Sequence, residues 1–503
     1  MRKLIIAAFC FLLLGTVLSA CSGKTDKTVA KHEISVRIAA DPDFLDPHKA
    51  QASLTFMMML NIYEGLVNPM PDGGVTPAVA KKYSVSKDGL TYTFTLRDGI
   101  KFHNGDPVTV DDVKYSFDRL MGTTTGKPLS SKFVNVASIE TPDEKTVVMK
   151  LKTPDSTFLT RLTANDAAIL SKKNDAKQND HPIGTGPFKF VKYAPQNNLI
   201  VEKFKDYWRK GVPYFDKVTF VFQEDDQAAY LSLEGGDLQL ASIPASKVSE
   251  AEGKYTLIHQ NTNAVFLLGF NEKKKPFNDR RIRQAINDAI NKDDIIQATF
   301  SGRATKIGSN MSPAMGSYYK KGLEDYYKTD LNKAKSLLAE AGFKDGFSTT
   351  LTVSSHNKMY ADAAQVVKEE LKPLGINVKI NVVEWAKWLE NVYKNRDYEM
   401  TMIDFTGYLS PYQILERYRT DASGNLMNYS NPEYDTLMKD VLLEQDKDKQ
   451  IQMYRRAQEI LTKDAAAVYI ADYQSTWAMD KKYTGMTPYP IFYLDMSRIK
   501  PKE

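Results

Sequence analysis

Alternation of polar and apolar side chains is clearest in the segment Thr91–Leu96, which reads TYTFTL. Because successive side chains of a strand point to opposite sides, this pattern predicts a strand with one buried face. A turn and a second short strand over residues 100–102 are predicted to follow. Thr109 then stands where a helix N-cap belongs, and Asp111 and Asp112 fall in the first turn of that helix, where negative charge is favoured.

Strand-like and helix-like patterns alternate along the rest of the chain. The sequence predicts a Met-rich helix over residues 53–67, a hairpin over 136–151 and a β-α-β unit over 351–383. A long helical region over 433–462 and a late strand over 466–470 follow. A β-α-β unit requires a parallel pair of strands, whereas hairpins are antiparallel. The pattern therefore predicts α/β lobes with mixed sheets.

Residues 82–117 also carry a family resemblance. They closely resemble the signature of the family-5 extracytoplasmic solute-binding proteins, the oligopeptide, dipeptide and nickel receptors of ABC importers. The family pattern is roughly YTFxLRxGxKFxxGxPxTAxDVxYSF, and this chain departs from it at Val110, where Ala is usual. The segments FLDPHKA (44–50), IGTGPF (183–188) and PFND (276–279) extend the resemblance over nearly the whole chain.

The resemblance implies an α/β, multi-lobe, periplasmic-binding-protein-like fold of type II (cluster C). In this fold a cleft separates two main lobes built on mixed sheets, and an extra small lobe is inserted. The predicted division is a signal peptide (1–20), a flexible tether (21–32), a first lobe (33–62 with 183–260 and 475–503), a small inserted second lobe (63–182) and a third lobe (261–474).

Composition agrees with a water-soluble globular protein of several lobes. The 503 residues are 42% hydrophobic and 26% charged. The formal charge of +5 includes Arg2 and Lys3, and without them 65 basic residues face 62 acidic ones, a net charge of +3. This charge is small and no basic cluster stands out, so nucleic acid is not a predicted partner.

The two cysteines indicate the cellular compartment. Arg2 and Lys3 precede an apolar run of signal-peptide length, and Leu-Ser-Ala before Cys21 resembles a bacterial lipobox. This predicts cleavage before Cys21, lipidation of its thiol and an extracytoplasmic protein anchored to the bacterial cell membrane by lipid alone, in the periplasm of a Gram-negative cell. The alternative is a secreted protein with a chance cysteine. Because Cys10 leaves with the leader, no disulfide and no Cys-ligated metal site is predicted.

Catalytic motifs are missing from the sequence. The six histidines are scattered without metal-binding spacing, and neither a Gly-x-Ser-x-Gly elbow nor a P-loop occurs. We therefore predict no catalytic residue, no metal and no cofactor. A secreted hydrolase with a carboxylate pair is the enzyme alternative.

The main binding candidates are aromatic residues near the end of a predicted strand. Trp385 precedes this strand, and Phe405, Thr406, Gly407 and Tyr408 form the loop after it. Loops on rigid strands commonly carry recognition, and clefts favour apolar walls with few polar groups. For Trp385 and Phe405, filling a lobe core is the alternative, and the resemblance favours the pocket.

Peptide-binding members of the family carry an Asp in this loop that pairs with the ligand's α-amino group. Here Tyr408 or a neighbour occupies that position, and no acid lies between Asp404 and Pro411. A buried ammonium needs a paired negative charge. The resemblance suggests Asp472, beside Tyr473 in the late strand region, as a substitute.

The resemblance also implies two further groups of contacts. The segment after LDPH contacts ligand backbone in the family, which adds Gln51 and Ser53 to the predicted site. Members that bind metal chelates use arginines and aromatic residues, and the weaker matches here are Lys132, Phe133, Arg417 and Arg419.

These observations predict a monomeric, lipid-anchored substrate-binding protein of an ABC importer that captures oligo- or dipeptides in the cleft between its lobes. Its partners would be the peptide and the permease and ATPase subunits. A receptor for nickel, a metal chelate or another small solute is the alternative within the family. A lipoprotein that presents peptides to a sensor is a third possibility.

Overall fold

The computed structural model describes residues 32–71, 73–123, 126–355, 357–405, 409–444 and 446–502. The predicted signal peptide, nearly all of the tether, Cys21 and the loop residues Thr406, Gly407 and Tyr408 lie outside the described residues. Where the local signals are strong, the predicted elements form. Thr91–Leu96 is a strand that buries every second side chain.

The strands are β1 (Glu33–Ile38), β2 (Val67–Pro69), β3 (Val75–Pro77), β4 (Ala80–Val85), β5 (Thr91–Leu96), β6 (Val136–Glu140), β7 (Thr146–Leu151), β8 (Phe188–Ala194), β9 (Asn198–Lys203), β10 (Lys217–Phe222), β11 (Leu240–Ile243), β12 (Thr256–Asn261), β13 (Val265–Phe270), β14 (Ala304–Lys306), β15 (Ser348–Ser354), β16 (Asn377–Val383), β17 (Met400–Phe405), β18 (Ala467–Met479), β19 (Tyr483–Thr484) and β20 (Lys500–Pro501). The α-helices are α1 (Ser53–Met59), α2 (Val110–Met121), α3 (Phe158–Arg161), α4 (Asp226–Glu234), α5 (Val248–Ala251), α6 (Arg280–Ala289), α7 (Lys292–Phe300), α8 (Leu331–Glu340), α9 (Lys358–Leu371), α10 (Trp385–Trp388), α11 (Pro411–Leu415), α12 (Pro432–Leu443) and α13 (Lys447–Lys463).

Helix α2 begins as its sequence predicts. The Thr109 hydroxyl accepts a hydrogen bond from the Asp112 amide, and the Asp112 carboxylate accepts one from the Thr109 amide. This reciprocal capping satisfies two backbone donors that a helix start would otherwise leave unpaired. The β-α-β unit is also confirmed, because β15 and β16 pair in parallel on either side of α9.

Three predicted elements differ from the structure. Helix α1 ends at Met59 rather than residue 67, and a turn over residues 60–62 follows before strand β2 begins at Val67. Residues 100–102 form only an isolated bridge from Lys101 to Pro107. The late strand continues well beyond residue 470, since β18 runs to Met479.

Strand β18 joins two halves of one large sheet. The twelve-stranded sheet has the order β16-β15-β17-β13-β18-β11-β1-β10-β9-β8, and β12 and β14 also pair with β18. The first part of β18 pairs with β13, and the later part pairs with β11 and β12. Beside it, residues 262–264 connect β12 to β13, so the chain crosses between the predicted first and third lobes at two adjacent places. A four-stranded antiparallel sheet, β4-β5-β7-β6, lies in the predicted second lobe.

Buried apolar residues form three large clusters that follow this division. One contains residues between 265 and 471, the second residues between 66 and 169, and the third residues from both chain ends together with β8 to β11. Tyr63, Ala168 and Leu170 pack in the third of these clusters although their positions fall in the predicted second lobe. The lobe boundaries themselves remain a proposal.

A buried ion pair joins the predicted first and second lobes. Asp46 and Arg119 have side chains only 1% and 8% exposed, with 2.5 Å between carboxylate and guanidinium. The Arg119 Nε also contacts Asp175 at 2.8 Å. Nearby, His48 Nε2 lies 2.9 Å from the carbonyl oxygen of Ala168. The LDPH segment therefore holds these two lobes together through charge and hydrogen bonds.

The turn at residues 183–188 packs tightly on the same junction. A Cβ at Gly184 or Gly186 would collide with the backbone of Ile62. The close approach of two backbone segments therefore explains why glycines stand at these two positions. None of the helices in the described part of the chain has the length and apolar composition needed to cross a membrane.

Candidate functional site

A cavity of about 300 Å³ opens where segments of the three predicted lobes meet, and we call it the first cavity. The first lobe lines it with Gln51, Ser53 and Phe492, and the second lobe contributes Lys132 and Asn165. Helix α11 of the third lobe completes the wall. This volume lies at the lower end of the range for small-molecule sites, about 300–1,000 Å³.

A second cavity of about 470 Å³ continues from the first, and both are lined by Lys132 and Gln413. Its walls come from Arg161 of the second lobe and from the third-lobe segment around Glu416 and Arg417. We call the two cavities together the cleft. Because opposite walls belong to different lobes, a ligand here would contact several lobes at once.

Ion pairs neutralise much of the charge in the cleft. Lys132 contacts Asp166 at 3.0 Å, Arg161 contacts Asp155 at 3.3 Å, and Arg419 contacts Asp421 at 2.7 Å. Each pair lies within one lobe. Their side chains are consequently held in place before any ligand binds.

Two neighbouring side chains at the end of strand β17 have different surroundings. The Asp404 carboxylate accepts hydrogen bonds from the hydroxyls of Tyr360 and Tyr473, the latter at 2.9 Å. Phe405 instead meets Arg417, whose guanidinium carbon lies 3.6 Å from the ring centroid. As alternation along the strand predicts, the two neighbours have separate surroundings.

Glu416 is a half-buried acid in the wall of the second cavity. Desolvation raises the pKa of its carboxyl, and the positive charges of Arg161 and two neighbouring arginines only partly offset this. No hydrogen-bond donor among the described residues contacts the carboxylate. Its surroundings therefore favour a ligand that brings one.

The family of bacterial extracellular solute-binding proteins, family 5, matches residues 74–425 of this chain. That match covers more than half of the sequence. The chain belongs to this family. Relatives and structural neighbours in the family are solute-binding proteins, so this chain is a binding protein rather than an enzyme. The family's proteins act outside the cytoplasm, and the predicted extracytoplasmic location is confirmed to that extent.

Three relatives show how far the similarity extends. The chain is 32% identical over 466 residues to the glutathione-binding protein GsiB of Pectobacterium atrosepticum, covering 89% of this chain and 90% of that protein. It is 26% identical over 528 residues to the dipeptide-binding protein DppE of Bacillus subtilis, covering 97% and 96%. The periplasmic binding protein DppA of Helicobacter pylori, solved with the peptide STSA, superimposes with a TM-score of 0.80 at 27% identity, covering 94% and 98%. The similarity therefore extends over the whole family fold.

In this family-5 protein, only some of the predicted ligand-binding residues line the cleft. Gln51 and Ser53 line the first cavity. Phe405 does not line the second cavity itself, but it contacts Arg417, which does. Tyr473 lies behind this wall, where it binds Asp404 and stacks on Phe300. These assignments as ligand contacts stay predictions.

Asp472, the predicted amine-binding acid, does not line either cavity. Its side chain is fully buried, and it accepts hydrogen bonds from the Thr262 hydroxyl, the Ala264 amide and the Ser312 hydroxyl. Burial raises the pKa of Asp472 to about 6. The carboxylate is thus a structural group beside the lobe crossing, and it does not line the cleft.

Trp385 lies to one side of the cleft with 39% of its surface exposed. It stacks on the buried Trp388 with ring centroids 5.3 Å apart, and Trp388 in turn lies 6.3 Å from Tyr393. Only Tyr393, at the end of this row, lines the second cavity. A role for Trp385 in binding would therefore act through Trp388 and Tyr393.

Several residues that line the cleft carry little signal in the sequence. Arg161, Gln413 and Glu416 stand in segments without a recognisable motif, and their meeting depends on how the lobes pack. Lys132, Arg417 and Arg419 were weak matches to chelate-binding members and do line the second cavity. Phe133 is buried in the second-lobe core. Among the described residues, no group of His, Cys, Asp and Glu side chains is arranged to hold a metal ion.

Proposed function

We propose that this family-5 protein is the substrate-binding subunit of an ABC importer for peptides. It binds a peptide in the cleft and passes it unchanged to the permease, while a separate ATPase subunit drives transport. The observation that carries this proposal is a cleft with polar and charged side chains from all three lobes, among them Gln51, Lys132 and Gln413. The named relatives favour peptides over metal chelates, since they are described as glutathione- and dipeptide-binding proteins.

Binding is proposed to close the cleft. The first and second lobes move as one unit because Asp46 and Arg119 join them, and the third lobe turns about the two adjacent crossings at residues 262–264 and in β18. A ligand shifts this equilibrium only by contacting the walls better in the closed form. The closed monomer would then dock on the permease.

The proposal includes a lipid anchor on Cys21. The supporting observation is the lipobox-like sequence before that residue. Radiolabelled palmitate should label the wild-type protein in a bacterial host, and Cys21→Ser should abolish the label and release the protein from membranes. A palmitate-labelled Cys21→Ser variant would contradict this part of the proposal.

The ligand class is tested with protein purified without its leader. Mass spectrometry of co-purified ligand should find peptides. Calorimetry should give heats with di- and tripeptides and none with a nickel–histidine chelate. Chelate binding without any peptide binding would overturn the peptide assignment and favour the alternative within the family.

The cleft is tested by shortening a polar side chain in its wall. Gln413→Ala removes one amide that lines both cavities and should weaken peptide binding about tenfold, as expected for a lost hydrogen bond to ligand. Gln227→Ala, at an exposed position in α4, is the matched control and should bind as the wild type does. Equal affinities for the two variants would exclude the cleft as the binding site.

A further inference from the structure

A third cavity, of about 140 Å³, adjoins the first cavity, and we call it the apolar pocket. Its wall comes from strands β1 and β18, helix α1 and the segment 486–494. The large apolar side chains in that wall are Ile38, Leu54, Met57, Trp477, Met486, Ile491, Phe492 and Leu494. Ile491 and Phe492 also line the first cavity, so the two spaces meet at these side chains. A ligand in the cleft therefore has an apolar space beside it.

The main polar groups in the wall of the apolar pocket already have partners within the protein. Arg37, whose side chain is 3% exposed, contacts Asp226 at 2.6 Å and donates a hydrogen bond to the Ser242 hydroxyl at 2.9 Å. The Gln260 amide and the Thr262 hydroxyl each donate to a backbone carbonyl oxygen. A polar side chain that entered the pocket would lose hydrogen bonds to water with little to replace them. The pocket therefore favours apolar atoms.

The size of the apolar pocket matches one side chain. An engineered cavity of about 150 Å³ lined by leucine, isoleucine and phenylalanine side chains binds benzene. The apolar pocket has nearly that volume and a similar lining, so it can hold the ring of a phenylalanine or the branched end of a leucine. Nearly all of its wall belongs to the predicted first lobe. The pocket is therefore formed without closure of the third lobe, which lowers the cost of filling it.

We propose that the apolar pocket takes one side chain of a peptide bound in the cleft and makes this receptor select leucine- or phenylalanine-sized apolar residues at that position. This inference rests on the proposed function and narrows its ligand class. The first cavity offers polar groups to the peptide backbone, Gln51 and Ser53 among them, whereas the apolar pocket accommodates a side chain. Burial of a leucine in place of an alanine should strengthen binding by about tenfold to a hundredfold.

A series of small peptides tests this selection. Each position of dialanine and trialanine is replaced in turn by leucine or by asparagine, so the position that enters the pocket need not be known in advance. Leucine and asparagine have nearly the same shape, and only leucine is apolar. Calorimetry with the purified wild-type protein should show one position at which leucine binds at least about tenfold more tightly than alanine. Asparagine at that position should bind no more tightly than alanine.

Two substitutions in the wall assign the preference to the apolar pocket. Ala39→Leu adds three carbon atoms to a partly exposed residue of the wall and should reduce the preference for leucine over alanine to less than about threefold. Met57→Ala enlarges the pocket and should shift the preference from leucine to tryptophan at the same position.

The matched control adds the same three carbon atoms elsewhere in the first lobe. Ala194→Leu, in β8, changes a partly exposed alanine that lines neither the apolar pocket nor the cleft, and should keep the wild-type preference. Thermal unfolding of each variant checks that it is folded. Because Ala39→Leu fills the pocket and Met57→Ala enlarges it, either variant alone tests the assignment if the other does not fold.

The outcomes that overturn the inference differ from those that overturn the proposed function. If leucine has no advantage over alanine and asparagine at any position, the apolar pocket does not select the ligand, and peptide binding stands. If folded Ala39→Leu and Met57→Ala variants both keep the wild-type preference, the leucine side chain binds elsewhere and the assignment to this pocket is wrong. If the wild type binds none of the di- and tripeptides, the proposed function fails together with the inference.

Discussion

The junction between the first two lobes and the third-lobe wall of the cleft both place an acid near arginine side chains, with opposite results. At the junction, Asp46 is buried against Arg119 and its oxygens are occupied. In the wall, Glu416 is half-buried among arginines, but no described donor contacts it. At the junction the described chain supplies both the acid and its hydrogen-bond donors, whereas in the cleft wall it supplies the acid without such donors. The difference suggests that a buried charge is structural where the protein completes its contacts and available for ligand where it does not.

The largest effect is expected from breaking the junction. Asp46→Asn leaves Arg119 buried with less compensating charge and should lower the free energy of unfolding by about 3 kcal/mol, as for other broken buried pairs. Urea unfolding measures this loss. Asp98→Asn is the control, because the ion pair of Asp98 with Lys145 is exposed to solvent and should contribute little to the free energy of unfolding. Similar losses in the two variants would remove the distinction between a structural charge and a surface charge.

A pH-dependent effect of nearly the same size is expected at Asp472. Burial raises its pKa to about 6, so the folded protein keeps this proton at pH values where the unfolded chain has released it. Stability from this group is therefore complete below about pH 4 and is lost as the pH rises through about 6. The loss should be on the order of 2–3 kcal/mol.

The comparison that isolates this effect uses Asp472→Asn, which retains an oxygen acceptor. Urea unfolding of both proteins between pH 4 and pH 7 should show a decline in the wild type relative to the variant. Ligand affinity at neutral pH should be the same in both. A variant that folds normally but no longer binds peptide would restore Asp472 to the binding site.

A smaller effect is expected where Phe405 supports Arg417. Phe405→Leu keeps apolar volume but removes the ring face, and the cation–π contact is worth about 0.5–2 kcal/mol. We expect a fewfold to tenfold loss of affinity for peptides, with a change of less than about 1 kcal/mol in the free energy of unfolding. Unchanged affinity beside a large loss of stability would assign Phe405 to the lobe core instead.

The smallest effect on folding is expected at Glu416. Partial burial raises its carboxyl pKa, so the ionised form costs stability as the pH rises, and Glu416→Gln removes that cost. The variant should unfold within about 1 kcal/mol of the wild type at neutral pH, on the stabilised side. A large destabilisation would mean that the chain itself completes the contacts of Glu416, and the contrast with Asp46 would disappear.

Local sequence signals predicted local structure well. The alternation in Thr91–Leu96, the cap at Thr109 and the β-α-β unit all depend on residues close together in the chain. The family resemblance predicted the multi-lobe architecture, which periodicity alone does not contain. The continuous sheet through β18 was missed, because its partners lie more than two hundred residues earlier in the sequence.

The candidate site was predictable only in part. Gln51 and Ser53 follow a recognisable segment and do line the first cavity. The acid Asp472 and its neighbour Tyr473 predict a binding role. In the structure Asp472 is buried and accepts hydrogen bonds from three donors in two distant segments. Glu416 has no recognisable signal in the sequence, because its position in the cavity wall depends on how distant segments pack rather than on neighbouring residues.

The thirteen-residue strand β18 also has a mechanical consequence. Because β14 pairs with the residues of β18 that lie between its β13 partners and its β12 partners, the hydrogen bonding along this strand has no break where the chain crosses between the predicted lobes. If the proposed closure bends β18, it deforms hydrogen bonds in both halves of the twelve-stranded sheet at once. The proposed closure would then use part of the ligand-binding free energy for this deformation, and reopening would recover it once the ligand leaves.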